Sequence, residues 1–514
     1  MKNLRQHRIT RIVAALALAL AIAGIAIPAQ AQTYTPLYTF GTVEGSPDLG
    51  PVGPLVLAQN GNLYGTTNWN QSNIYSITTG GAETLLWQSG EGSGDSCEWQ
   101  PGTYFPPSSG MTLGADGLLY GTCAVWGGNE TYSGVIYKYD PSQGQNGITV
   151  VYSFPSNGCD EYLPNPLTLG TDGNLYGTTF GCSASSTDPL GSVFKFNPTT
   201  NVLTTLHTFE GKSSNDGAQP TGPLALGSNG DFYGTTYEGG ISSGSSGGTV
   251  YSITTKGKIK ILYSFNTFAD STSGTEPSAG VIEGNDGNFY GTTFAGGTSS
   301  QGTIFKITPA GKLTYLHNFN ESVDNNGFPV WPLTLGSDGN MYGSTPNCNG
   351  GGCSVESLFE IATKVKEGVY TYTDLFNFND VGCDGYTVDG CTPRSALVQL
   401  PNGTFYGVTA NGGGNQGLGT YGQGVFYSLN TGLKPFVSLQ FPLGTEGTLL
   451  GIFGQGFLTG PATAVSFNGK AATFTVASDT YMTATIPSGA SKGYVTVAEP
   501  SGTLQSNIKF TPKP

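Results

Sequence analysis

Of 514 residues, 80 are Gly and 30 Pro, while charged residues and aromatics each make up 11%. That balance excludes a disordered chain, which would be rich in charge and poor in aromatics, and four Met with few Ala-Leu-Glu-Lys stretches argue against a helical protein. The formal net charge of −14 repels phosphate backbones and argues against nucleic acid as a partner.

The first element is a targeting segment. Lys2, Arg5, Arg8 and Arg11 precede an apolar run from Ile12 to Ile27, followed by Pro28 and the Ala29-Gln30-Ala31 cleavage pattern. Residues 1–31 read as a signal peptide cut after Ala31, the alternative being an uncleaved anchor with a run short for a span. No other segment could cross a bilayer. The segment holds four of the 20 Lys+Arg and none of the 34 Asp+Glu, so the processed chain carries −18. A secreted or cell-surface bacterial protein is expected.

A repeat then governs residues 32–432. An apolar strand, an Asn/Asp-Gly turn and an x-Tyr-Gly strand recur with Tyr at 64, 120, 176, 233, 290, 342 and 406, at intervals of 52 to 64 residues. Each copy carries four strand signals, A to D. In the fourth they are 222–226, 232–236, 248–253 and 259–265, with Asn229-Gly230 forming a tight hairpin where positive φ is cheap. Four strands at this spacing specify a propeller blade. Copy seven has strand C at 424–429 but no strand D after it, while Tyr34 to Phe40 is an orphan strand of the same kind. The expected fold is therefore all-β: a seven-bladed β-propeller closed by the N-terminal strand, with an open solenoid as the alternative. Closure removes exposed sheet edges.

The pieces Gly-Pro-Leu, Asn/Asp-Gly-Asn-Leu/Phe-Tyr-Gly-Thr-Thr and Gly-Thr-Val/Ile-Tyr/Phe-x-Ile resemble the GloVer tandem repeat over about Thr33 to Leu429. That repeat occurs in exported bacterial proteins of the choice-of-anchor kind, which pair it with varied C-terminal modules. The resemblance implies export and surface placement, and no chemistry.

Residues 433–514 change character. Gly454-Gln455-Gly456-Phe457, Phe467-Asn468-Gly469-Lys470-Ala471-Ala472 and Ser478-Asp479-Thr480 resemble the IPT/TIG domain, which implies an immunoglobulin-like β-sandwich. Lacking Cys, it must rest on its core alone. Such domains contact DNA in some transcription factors; the acidic, exported context favours a structural or adhesive use.

Eight Cys in an exported chain point to four disulfides. Cys97, Cys159, Cys383 and Cys391 fall in D–A connections; Cys123, Cys182, Cys348 and Cys353 fall just after strand B. In an up-and-down sheet both connections leave the same face. Cys97–Cys123 and Cys159–Cys182 would tie a D–A loop to the B–C loop that follows. Cys348–Cys353 and Cys383–Cys391 are favoured for the rest, with crossed pairings between neighbouring blades still open. No Cys-x-x-Cys or companion His supports a metal site.

That stapled loop face is the candidate site, because function concentrates on loops held by a rigid scaffold. The processed chain has only His207 and His317, both in a strand D slot that is elsewhere Tyr or Phe, and both read as packing residues. A Ser-His-Asp triad, a His-ligated metal or another cofactor is not expected. Asp-Gly turns suggest calcium loops, but Asn takes the same place in three copies, so turn geometry explains them better. Carboxylates in the D–A connections, among them Asp160, Asp216 and Asp384, would form a solvated rim or an acidic cup. Trp69, Trp99, Trp126 and Trp331 are either sugar-stacking platforms or inter-blade plugs. The expected function is a non-catalytic binding or adhesion scaffold, monomeric, holding a glycan or surface protein on this face. The alternative is a polysaccharide hydrolase or lyase using paired carboxylates.

Overall fold

The computed structural model describes residues 32–41, 50–68, 72–88, 110–124, 132–155, 165–181, 190–211, 215–241, 247–266, 273–320, 324, 327–345, 356–365, 369–378, 389–413 and 423–513. Residues 1–31 lie outside that set, and with them the predicted signal peptide.

The repeat motif folds the same way each time because its residues bond to one another. The Asx residue accepts the backbone N–H two residues on, as in Asp172 Oδ1 from Asn174 N at 3.2 Å, and its far atom meets the hydroxyl of the Tyr four residues on. All seven such pairs form, from Asn60 with Tyr64 (2.8 Å) to Asn402 with Tyr406 (3.0 Å). Asp accepts from the hydroxyl and Asn donates to it; a phenol serves both. Only the Gly of each turn has positive φ, +88° at Gly230, and Gly227 closes the loop onto Asp231 O at 2.8 Å. The hairpin is thus a tight turn plus a glycine bulge.

The Gly after each Tyr serves a different need. A Cβ on Gly234 would stand 2.5 Å from Tyr251 Oη, and one on Gly177 would stand 2.5 Å from Phe194 Cζ. The strand C aromatic lies across that bare backbone, so Gly is required by close approach rather than by φ.

The strands assemble into antiparallel four-stranded sheets in the order A-B-C-D, the first being Pro51–Leu57, Leu63–Asn68, Ser72–Ile77 and Glu83–Gln88. Among the described residues six such sheets occur along the repeat, followed by a seventh of five strands whose A strand is in two pieces, Cys391–Pro393 and Val398–Gln399. Their A strands touch in sequence, and the last, Val398–Gln399, returns to Pro51–Leu57. The sheets therefore close into a propeller. The final sheet takes its outermost strand from the N-terminus: Thr33–Thr39 pairs antiparallel with Val425–Asn430 from Thr33↔Asn430 to Thr39↔Val425. Tyr34 stacks on Phe376 of the preceding sheet at 3.9 Å, fastening the closure.

Neighbouring sheets are held by a repeated pair of contacts. The motif Tyr of one stacks on the strand B aromatic of the next, Tyr176 on Phe232 at 4.0 Å and Tyr233 on Phe289 at 3.7 Å. A hydroxyl on strand A donates to a carbonyl of the next strand A, as Thr168 does to Leu224 O (2.6 Å) and Thr221 to Pro277 O (2.9 Å).

The C-terminal segment forms a two-sheet sandwich. Ser438–Leu439, Leu449–Phe453, Tyr481–Thr485 and Phe474–Val476 make one sheet; Leu443–Thr445, Gly502–Lys513, Gly493–Glu499, Ala464–Phe467 and Lys470–Ala472 make the other. Ile452, Phe467, Met482, Val495 and Phe510 fill its core. The sandwich sits against the A–B turns of the ring. Ser478 and Thr480 hydroxyls donate to Gln59 O (2.9 and 3.0 Å), Asn285 Nδ2 to Asn507 O (2.9 Å) and Lys513 Nζ to Thr171 Oγ1 (2.7 Å). Phe453 and Tyr481 join the apolar cluster around Tyr64 and Leu113.

Candidate functional site

The face opposite the sandwich carries the B–C and D–A connections. Its described part is built from residues that enter strand A. At Gln219-Pro220, Glu276-Pro277, Phe328-Pro329 and Thr392-Pro393 the residue before Pro has φ of 56°, 58°, 54° and 56°. A side chain there costs about 1–2 kcal/mol relative to right-handed backbone. The compensation is a tie to the preceding sheet. Gln219 N donates to Leu190 O (2.8 Å), Glu276 N to Gly247 O (2.9 Å) and Phe328 N to Gln301 O (2.8 Å), while Thr392 N donates to the Glu356 carboxylate. Gly50, before Pro51, does the same with Gln423 O at 3.1 Å. The side chains also bind across, Tyr237 Oη donating to Glu276 Oε2 at 2.8 Å and Phe328 packing on Phe294. These five D–A connections are thereby clamped to the B–C segment before them.

Two connections have an added brace. His207 Nε2 lies 2.9 Å from Asp216 Oδ2, which also accepts from Glu210 N (3.1 Å), and Asp216 Oδ1 accepts from Gly217 N (2.9 Å). His317 Nε2 lies 3.0 Å from Asp324 Oδ2, which accepts from Asn320 N (2.9 Å). Each imidazole stands edge-on to a Phe, Phe209 or Phe319, and His317 also stacks on Tyr372 at 4.1 Å. Burial pushes the His317 imidazole below the ordinary histidine range, with Asp324 opposing the shift. The histidines do pack, as expected; the aspartate pairing was missed. Part of its signal was available, since each His ends a strand D whose D–A connection holds an Asp, and stands where Tyr263 stands in another copy.

Asp216 is 7% exposed, with both carboxylate oxygens engaged. Trp331 is 8% exposed and its indole donates to Pro393 O of the next sheet at 2.9 Å. The two are not brought together in one pocket: Asp216 braces the entry to the fourth sheet and Trp331 bridges the sixth and seventh. Trp69, Trp99, Trp126, Asp160 and Asp384 lie outside the described residues, as do Cys97, Cys159, Cys182, Cys348, Cys353 and Cys383. Cys123 is buried in strand Leu119–Ala124 and Cys391 at the start of Cys391–Pro393. Both are on the loop-face side, and no described cysteine is a free thiol. Among the described residues no group of three or more His, Cys, Asp or Glu is placed to hold a metal ion, and no helix is long and apolar enough to cross a membrane.

Solved structures similar to this chain include the Dos1 propeller, at 12% identity over 74% of this chain and 83% of that one, with a TM-score of 0.42. A gluconolactonase from Xanthomonas campestris is 13% identical over 63% of this chain and 90% of its own, with a TM-score of 0.35. A luciferin-regenerating enzyme is 11% identical over 79% and 97%, with a TM-score of 0.36. No curated protein matches the sequence. Residues 435–512 match the IPT/TIG domain, in agreement with the sandwich seen there. Residues 98–272 and 243–452 match the Gloeobacter/Verrucomicrobia repeat, and by that repeat, which shapes the ring and its clamped loop face, the chain belongs to the Gloeobacter/Verrucomicrobia repeat family.

Proposed function

We propose that the protein is an exported, non-catalytic binding or adhesion scaffold that holds a glycan or surface protein on the loop face of its propeller. The observation that carries this reading is where the polar chemistry of that face goes. Asp216, Asp324, Glu276 and both histidines are spent on holding D–A connections in place. A face whose acids brace its loops is suited to shape recognition rather than proton transfer, which needs a carboxylate within reach of a substrate. Trp69, Trp99, Trp126, Asp160 and Asp384 would then supply the contacts at the loop tips, with Trp331 and Asp216 beneath them as positioning residues.

Disulfides belong to the same reading. Cys97–Cys123 and Cys159–Cys182 would staple neighbouring loops, with Cys348–Cys353 and Cys383–Cys391 completing the set; the bonded state of Cys123 and Cys391 supports disulfide formation at those two ends. Processing after Ala31, a ring of residues 32–432, a sandwich of 433–514 and a monomeric state complete the proposal. A glycan array and a reducing-sugar release assay on the same preparation test it. Saturable binding without release is expected. Release that disappears in Asp160→Asn or Asp384→Asn would replace the scaffold by a polysaccharide-cleaving enzyme.

A further inference from the structure

A second site of a different kind lies on the other side of the ring. Between the A strands of sheets four to seven and the docked sandwich there is a cavity of about 510 Å3. Leu224 and Leu335 line it from the ring, Leu439 and Ile508 from the sandwich. Small-molecule sites favour such domain junctions, fall in this size range, and are mostly apolar with a few placed polar groups.

The polar groups here have a pattern. Lys492 and Lys509 both lie on the wall, in a chain whose formal net charge is −14. The carboxylate on that wall, Glu283, is already taken by Ser228, whose N–H and hydroxyl both donate to it at 2.6 and 2.7 Å. The cavity therefore offers two lysines beside an apolar surface.

From this complementarity we infer that the junction binds a small amphipathic carboxylate. Its apolar body lies along the leucines and its carboxylate turns to the two lysines. The site is separate from the loop face and uses none of the residues assigned there. It also gives the sandwich a role in recognition, because both lysines belong to it.

The test uses the full processed chain and 11-(dansylamino)undecanoate, which has a carboxylate and an apolar chain. Fluorescence titration is expected to show one saturable site. Lys492→Glu combined with Lys509→Gln weakens it at least tenfold with the thermal midpoint unchanged, and the methyl ester of the probe binds unaltered protein at least tenfold more weakly than the acid. Three outcomes overturn the inference: no saturable binding, an ester that binds as well as the acid, or a double variant of undiminished affinity. The ester comparison needs no variant, so a folding defect in the double variant does not shield the idea. Loss of glycan binding in the array leaves this result untouched, and the reverse also holds.

Discussion

Asp and Asn exchange at the turn position because the partner is a phenol that can donate or accept. The consequence is a graded series at Asp286, whose Oδ2 accepts from Tyr290 Oη at 2.9 Å. Asp286→Asn keeps the bond from Asn288 N and reverses the one with Tyr290, and is expected to change stability by under about 0.5 kcal/mol, whereas Asp286→Ala strands a buried tyrosine hydroxyl and costs about 1–2 kcal/mol. Urea denaturation of the three proteins measures both. His317 supplies a pH dependence with a definite sign. Its folded pKa lies below the unfolded value near 6.5, so the unfolded chain takes up the proton first as pH falls. The stability contributed by the neutral imidazole is whole above about pH 7 and declines as pH drops through 6.5 towards the folded pKa. His317→Gln, which can still donate to Asp324, is expected to flatten the thermal midpoint between pH 7.5 and 5.5; an unchanged slope would assign the dependence elsewhere. The pairing behind this was legible only in part. A His near the end of a strand and an Asp several residues on are ordinary in a sequence, and only the fold shows that the connection doubles back.

Each repeated sheet depends on a backbone that must stay bare. The strand C ring crosses the Gly after the motif Tyr so closely that Gly234→Ala would place Cβ 2.5 Å from Tyr251 Oη. Tyr251 is fully buried and cannot step aside without displacing the inter-sheet core. Overpacking of this sort costs about 1–3 kcal/mol, and the same change at Gly447, with nothing within 4 Å, lacks that overpacking penalty although its φ of +80° still opposes Ala. Calorimetry on the pair separates crowding from backbone preference. This layer of the fold was the most legible, because Asx-Gly-x-x-Tyr-Gly encodes the hairpin, the tyrosine clasp and the aromatic crossing in six adjacent residues. The four left-handed residues before Pro220, Pro277, Pro329 and Pro393 were not legible. Gln, Glu, Phe and Thr share no side-chain property; the bond they have in common comes from the backbone N–H, which every residue but proline possesses.

At the scale of the molecule, two long-range contacts decide whether ring and sandwich behave as one body. The first, the N-terminal strand, could be found from sequence because copy seven lacks a fourth strand and the leading residues resemble one. The second, docking of the sandwich on the A–B turns, could not. Its bonds run from Ser478 and Thr480 to a main-chain carbonyl, Gln59 O, and from Asn285 to another, Asn507 O, and such carbonyls leave no trace in composition or spacing. The two contacts make separable predictions. Removing Thr33–Thr39 bares the edge of Val425–Asn430 and takes Tyr34 from its stack on Phe376, so the ring loses its lock while the sandwich keeps its own core. Ile508→Asp instead sets a carboxylate against the apolar cluster of the fifth and sixth sheets, where Ile508 packs. An unpaired charge there opposes docking, yet it leaves the register of every ring sheet intact. Hydrogen exchange on the intact chain distinguishes the cases. The strand deletion is expected to speed exchange throughout the seventh sheet, and Ile508→Asp to speed it at the A–B turns alone, around Asn60, Asp172 and Asn285. Slow exchange at those turns in Ile508→Asp would mean that the turns hold without the sandwich, and that the junction is a resting place for the domain rather than a part of the fold.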